Sequence, residues 1–332
     1  MPPRVTAVRP LRAIEGGRII IEGTDFPVDG PRLPAVHVGG VAARVVQASS
    51  SSLAVIVPSG LDAGSTPIRI ESVSGDTLFI EIAAQFATGL HQVDNPVFDR
   101  EGNLYVTYSG TRGQQVPVSI FKVRPNGTRE TFSSGIVNAT SMAMDPEGRL
   151  YVSSRFEGTV YRVAADGTFE TFATDLGIAC GLAFDREGIL YVGDRSGTVF
   201  RVNSSGKAQP LATLPSSVAA FHLAIAPDGS IWVTAPTLST YDPIYKVSPV
   251  GTVATVDVRF GRPQGIAFDP HGMPFVIEAL AGSSGLYRVH SNGSAPELVL
   301  TGANLIGVAF DSFGSLVVSS NETAYRTRTS MS

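Results

Sequence analysis

The sequence predicts an all-β chain: a small antiparallel β-sandwich followed by a six-bladed β-propeller of four-stranded blades. Three observations lead there. A glycine-centred motif recurs six times from residue 97 onward, at intervals of 40 to 46 residues. Residues 1–83 lack that motif but carry short β-rich runs broken by Gly, Pro, Ser and Asp. The composition holds 35 Gly and 22 Pro with only 16% charged residues, which suits many tight turns between buried strands and argues against a helical bundle.

In chain order, the first element is the sandwich at 1–83, with candidate strands at 18–21, 35–38, 41–46, 53–57, 67–71 and 77–82. The propeller is expected over 84–332. Its units read apolar-x-apolar-Asp-x-x-Gly-x-apolar-aromatic-Val at 97–106, 143–152, 183–192, 224–233, 267–276 and 309–318. All six keep the glycine (Gly102, Gly148, Gly188, Gly229, Gly272, Gly314), and five keep the aspartate, with Ala226 in the fourth. Asp followed by Gly between two β-rich runs is a hairpin, because glycine tolerates positive φ and aspartate caps its own turn. Next comes an aromatic-base pair (Phe121-Lys122, Tyr161-Arg162, Phe200-Arg201, Tyr245-Lys246, Tyr287-Arg288, Tyr325-Arg326), whose alternation marks a third strand. A second glycine turn (Asn126-Gly127, Asp166-Gly167, Ser205-Gly206, Val250-Gly251, Asn292-Gly293) leads to a fourth strand such as 168–173. The sixth unit lacks a fourth strand after Tyr325, whereas Phe86-Ala87-Thr88-Gly89-Leu90 reads like Phe172-Ala173-Thr174-Asp175-Leu176 of the second unit. Residues 84–90 are therefore expected to complete the last blade and close the ring.

Several function classes are excluded. Cys180 is the single cysteine, so neither an internal disulfide nor a Cys₂His₂ or Cys₄ zinc site can form. A net charge of -4 and the absence of a basic patch argue against nucleic acid as a partner. No apolar run approaches the ~20 residues of a membrane span. No basic and apolar leader opens the numbered chain, so the expected compartment is the cytoplasm, or an extracytoplasmic one if a leader was removed. A monomer is expected.

Residues 3–83 resemble the TIG (IPT) family of immunoglobulin-like modules. The resemblance rests on Val5-Thr6-Ala7-Val8-Arg9-Pro10, Gly16-Gly17-Arg18-Ile19-Ile20-Ile21-Glu22-Gly23-Thr24-Asp25-Phe26, Val38-Gly39-Gly40-Val41-Ala42-Ala43 and Val57-Pro58-Ser59-Gly60. The remainder is similar to the NHL-repeat and SMP-30/gluconolactonase-like propellers, best in Arg262-Pro263-Gln264-Gly265-Ile266-Ala267-Phe268-Asp269-Pro270-His271-Gly272. The second resemblance implies a channel-mouth site, with metal ligands directly before the Gly-apolar-Ala start of an innermost strand. Here those positions hold Cys180 and Gln264, neither a good ligand for a hard cation.

The tight turns are uniform from unit to unit, whereas the loops between second and third strands vary, so function is expected on the variable-loop face. Asp94 and Asn95 enter the first unit there, and His222 enters the fourth. Candidate ligand-binding residues are His91, Asn95, Asn138, Arg155, Cys180, Asp194, Arg195, Tyr241, Gln264 and Asn321. Asp94, Asn95, His222 and Glu278 are candidate ligands for a divalent cation, calcium or zinc, and His222, Glu278 and Asp94 are candidate catalytic groups. Cys180 is a candidate nucleophile if His222 or Arg195 lowers its pKa, and otherwise a small buried hydrophobe. The bland alternative is a polar, water-filled channel that binds nothing specific. Two functions stay open: a binding module for a protein, glycan or small polar ligand, and a metal-dependent hydrolase or lyase acting on a lactone or related substrate.

Overall fold

The computed structural model describes residues 2–30, 33–71, 73, 75, 77–290 and 294–328, and every regular element among them is a β-strand. In the N-terminal part, Arg4–Arg9, Arg18–Thr24 and Ser52–Ile56 pair in that order, antiparallel throughout. Strand Val41–Ala48 pairs at one end with Val36–Val38 and at the other with Ser52–Ile56, so it is shared between the two halves of the sandwich. Gly64–Ile70 and Leu78–Ile82 complete the second half. Alternation along Arg18–Thr24 turns Ile19 and Ile21 inward, where they meet Phe26, Val36, Val38, Leu53, Val55 and Ile80.

Five discrete four-stranded sheets follow as meanders, at 97–133, 139–173, 179–213 and 222–260, with the last built from Gly307–Phe310, Ser315–Ser319, Thr323–Arg328 and Ala84–Thr88. Ala84–Thr88 runs antiparallel to Thr323–Arg328, so a strand from the start of the chain completes the last sheet. The fifth unit behaves differently. Its strands Pro263–Phe268, Pro274–Glu278, Gly285–Arg288 and Glu297–Thr301 make the same meander but not a separate sheet. The short strand Arg12–Ala13 lies parallel to both Glu297–Thr301 and Leu78–Ile82 and fuses this unit with the N-terminal sandwich into one twelve-stranded sheet. The expected six blades are therefore corrected to five. The cause lies outside the repeat: a free outer strand has unpaired N–H and C=O groups, and the N-terminal segment pairs with them here.

The repeat residues do the work their spacing implies. All six motif glycines have φ between 79° and 85°. In five units the motif aspartate accepts two backbone N–H groups of its own turn, as Asp145 does from Glu147 at 3.0 Å and Arg149 at 2.8 Å. Where Ala226 replaces it, Asp228 accepts from the Ser230 N–H instead, at 3.0 Å. Strand-two aromatics pack onto the innermost strand of the next unit: Tyr151 on Phe184, Trp232 on Phe268 and Phe275 on Phe310, with ring centroids 4.8, 5.4 and 5.0 Å apart. Strand-three bases lie on the outer face and are mostly neutralised locally, by Lys122–Asp99, Arg162–Glu170, Lys246–Asp228 and Arg288–Glu297 pairs. The Asn292-Gly293 turn lies outside the described residues.

Candidate functional site

The innermost strands enclose a throat of about 320 Å³ lined by apolar side chains such as Met142, Leu182, Leu223, Ile266 and Val308 together with the polar Asn95 and Ser141. Asn95 is spent on the wall itself: its amide donates to the Ile266 carbonyl at 2.9 Å and accepts from the Val308 N–H at 2.9 Å.

At the mouth, two of the sequence candidates meet. Asp94, just before the first unit, and His222, at the start of the fourth, are joined by a hydrogen bond between Asp94 Oδ1 and His222 Nδ1. Asp94 is 2% exposed and His222 is 0% exposed. The same carboxylate oxygen accepts from the Asn95 N–H at 2.6 Å, and buried Gln92 donates to the Asp94 carbonyl at 2.6 Å. A carboxylate on Nδ1 sets the tautomer of a neutral imidazole so that Nε2 carries the lone pair. That Nε2 is buried and has no hydrogen-bond partner.

The Cys180-Gly181 backbone packs against the start of the His222 strand, and the segments of two arginines hold that stretch of chain. The Ser153 hydroxyl, two residues before Arg155, donates to the Cys180 carbonyl at 2.8 Å, and the Arg195 N–H donates to the Ile178 carbonyl at 3.1 Å. The thiol is pushed up to about 12, first by burial and then by Asp94, against the weaker opposing pull of Arg195 and Arg155. The nucleophile expectation is corrected accordingly: Cys180 is a buried, protonated thiol. Arg155 and Arg195 are half-buried and follow equivalent strands of adjacent units, Leu150–Ser154 and Leu190–Asp194. Burial, then the charges of Arg195 and Arg112, lower the pKa of Arg155.

Other candidates are structural. Asn138, fully buried at φ 49°, donates to the carbonyls of Ser109 at 2.6 Å and Thr111 at 2.8 Å and accepts from the Gly113 N–H at 2.6 Å. It holds the longest variable loop, and with it Arg112, over the mouth. Asp194 accepts from the Ile178 N–H at 2.9 Å and from Ser196. Glu278 accepts from the Gly261 N–H at 3.0 Å and the Ser283 hydroxyl at 2.9 Å, and burial raises its pKa. His91 stacks beside Tyr108, with centroids 5.9 Å apart, rather than joining His222. Gln264 is buried and its carbonyl accepts from the Thr234 hydroxyl, Asn321 contributes a backbone carbonyl to Gln92 at 2.8 Å, and Tyr241 is exposed on its loop. Gln92, Arg112 and Ser109 were missed by sequence reasoning. The length of the 107–119 loop pointed towards Arg112 and Ser109, and nothing in the sequence pointed towards Gln92.

The donor set does not fit the expected calcium or zinc ion. Among the described residues, no three His, Cys, Asp or Glu side chains gather as a metal site. Of the four residues expected to hold one, Asn95 is consumed in the wall and Glu278 caps a loop. A larger cleft of about 950 Å³ lies on the opposite, tight-turn face between the first two units. Its cations Lys122, Arg149 and Arg162 are paired with Asp99, Asp145 and Glu170, and Arg100 donates to the Pro146 carbonyl, so none of its cations is left without a partner.

Comparison with known proteins agrees with this architecture. The IPT/TIG domain model matches residues 3–86, which makes the N-terminal part a TIG domain. An auxiliary nutrient binding protein from Bacteroides thetaiotaomicron is similar over 98% of both chains at 15% identity, with a TM-score of 0.57. A gluconolactonase from Xanthomonas campestris is similar over 73% of this chain and 88% of its own at 17% identity, with a TM-score of 0.59. A virginiamycin B lyase from Staphylococcus aureus is similar over 74% of this chain and 86% of its own at 12% identity, with a TM-score of 0.51. These likenesses show a shared fold. No curated protein matches the chain in sequence.

Proposed function

We propose that the chain is a binding module, a TIG sandwich of residues 1–83 joined to a propeller of 84–332, with the fifth unit counted as the sixth member of the ring. It holds a small polar ligand at the mouth of the variable-loop face. One observation carries this: the buried Asp94–His222 pair leaves an oriented, unpartnered imidazole nitrogen on the loop face that also carries two half-buried arginines. A buried polar atom without a partner costs about 1–3 kcal/mol, and a ligand group removes that cost on binding. Likeness in fold to a protein titled as nutrient binding supports the same direction.

The test is a thermal-shift series on the full chain with neutral sugars, amino acids and sugar acids, on the wild type and on His222→Gln. At a hundredfold excess over Kd, a ligand is expected to raise the melting midpoint by about 3 °C or more in the wild type. In His222→Gln the shift is expected to vanish. A panel without effect, or equal shifts in both proteins, overturns the reading.

A second reading rests on the same pair, since an imidazole oriented by a carboxylate is also the arrangement of a general base. In that case the chain hydrolyses a lactone without a bound ion. Acid release from glucono-δ-lactone above the buffer rate, lost in His222→Gln, would establish it. The metal-dependent form predicts stabilisation by calcium or zinc; with the donor set present, neither ion is expected to move the midpoint.

A further inference from the structure

We propose that the mouth binds the carboxylate of a small organic acid, gripped by Arg155 and Arg195, with His222 Nε2 contacting the adjoining part of the same molecule. This rests on the binding reading above and names the ligand class. The two arginines come from equivalent positions in neighbouring units, one residue beyond strands Leu150–Ser154 and Leu190–Asp194, so the fold sets them side by side on the loop face. Both are half-buried. Among the described residues, neither guanidinium makes an ion pair or a hydrogen bond.

Exposed arginines such as Arg44, Arg186 and Arg259 also stand without an ion pair, but among the half-buried arginines of the described residues this is an exception. The outer-face arginines Arg124, Arg162 and Arg288 each have a glutamate partner, Glu130, Glu170 and Glu297. Acids are present at the mouth too, but their oxygens are engaged elsewhere: Asp94 with His222 and the Asn95 N–H, Asp194 with the Ile178 N–H and Ser196. Two like charges taken partly out of water, with a third from Arg112 nearby, oppose folding unless a counter-charge arrives from outside. The loss in folding free energy is tolerated when binding recovers it.

Carboxylate is the favoured anion because a planar guanidinium fork matches two coplanar oxygens bidentately. The unpartnered His222 nitrogen is a second, independent pointer: it is fully buried and oriented by Asp94, and its strand packs on the Cys180-Gly181 backbone. The segments bearing the two arginines also hold that stretch of chain, through the Ser153 hydroxyl to the Cys180 carbonyl at 2.8 Å and the Arg195 N–H to the Ile178 carbonyl at 3.1 Å. The ligand is then acidic at one end and polar beside it, as in a hydroxy acid or sugar acid.

Calorimetric titration of the full chain at low ionic strength tests this with matched probes: D-gluconate against D-glucitol, lactate against 1,2-propanediol, D-glucuronate against D-glucose, and inorganic phosphate. At least one carboxylate is expected to bind at least tenfold more tightly than its neutral partner. Arg155→Gln and Arg195→Gln are each expected to weaken that carboxylate by about ten- to a hundredfold, the worth of a hydrogen bond to a charged group. Without ligand, both variants are expected to melt no lower than the wild type, since a like-charge repulsion has been relieved. Should either glutamine variant fail to fold, Arg155→Lys and Arg195→Lys keep the charge and lose the fork, and are expected to lose the carboxylate preference. Carboxylates binding no better than their neutral partners would overturn the carboxylate assignment while leaving the binding reading intact if a neutral probe binds through His222. Phosphate binding alone, or weakening that Arg155→Gln and Arg195→Gln do not share, would also overturn it. No binding by any probe counts against both.

Discussion

Cys180 shows how little proximity to charge means without exposure. Two arginines act on its thiol, yet burial outweighs them and the proton stays on. In the unfolded chain the same thiol titrates near 9.0, so between about pH 9 and about pH 12 the unfolded state loses a proton that the folded state keeps. Stability is therefore expected to fall as pH rises through that window, and Cys180→Ser to flatten the decline, as read from urea midpoints across the range. At pH 8 the native chain is expected to react with iodoacetamide far more slowly than the unfolded chain. Rapid native-state alkylation would show the thiol to be open and activated. Asp94 and His222 were legible as candidates because each stands just before an innermost strand. Their contact was not, since the two are 128 residues apart and nothing in either local sequence refers to the other.

At the level of elements, the repeat hairpins were readable because aspartate and glycine act within four or five residues of themselves. The strand Arg12–Ala13 was not, being two residues long and defined by its partners. It is held by Ile14, whose N–H donates to the Thr301 carbonyl at 3.0 Å, and by the Arg18 N–H, which donates to Thr301 Oγ1 at 2.9 Å. Gly17 permits this approach: a Cβ there would sit 2.6 Å from the Thr301 carbonyl oxygen. Gly17→Ala is expected to destabilise the chain by about 1–3 kcal/mol through that backbone clash. The denaturation midpoint measures it, and an unchanged midpoint would mean the junction yields freely.

For the whole molecule, the junction means that the TIG domain and the propeller share more than a linker. Ile14 is buried among Phe275, Ile277, Leu286, Leu300 and Leu305, inside the core of the fifth unit, and the Tyr325 hydroxyl donates to Glu15 Oε1 at 3.1 Å. One cooperative unfolding transition is expected, with equal calorimetric and van't Hoff enthalpies. Two separate transitions would show that the shared sheet does not couple the domains. By itself, the sequence determined the all-β class, the repeat, the turn chemistry and the closing strand, because each follows from short-range periodicity, glycine conformation or the pairing of one edge strand. Only the tertiary structure decided that the fifth unit merges with the TIG sheet, and that Asp94 meets His222 while Asn95, Asn138 and Glu278 serve the scaffold. Those outcomes depend on which distant backbone and side-chain groups meet to satisfy one another's hydrogen bonds, and closing the ring brings together residues that sequence spacing keeps apart.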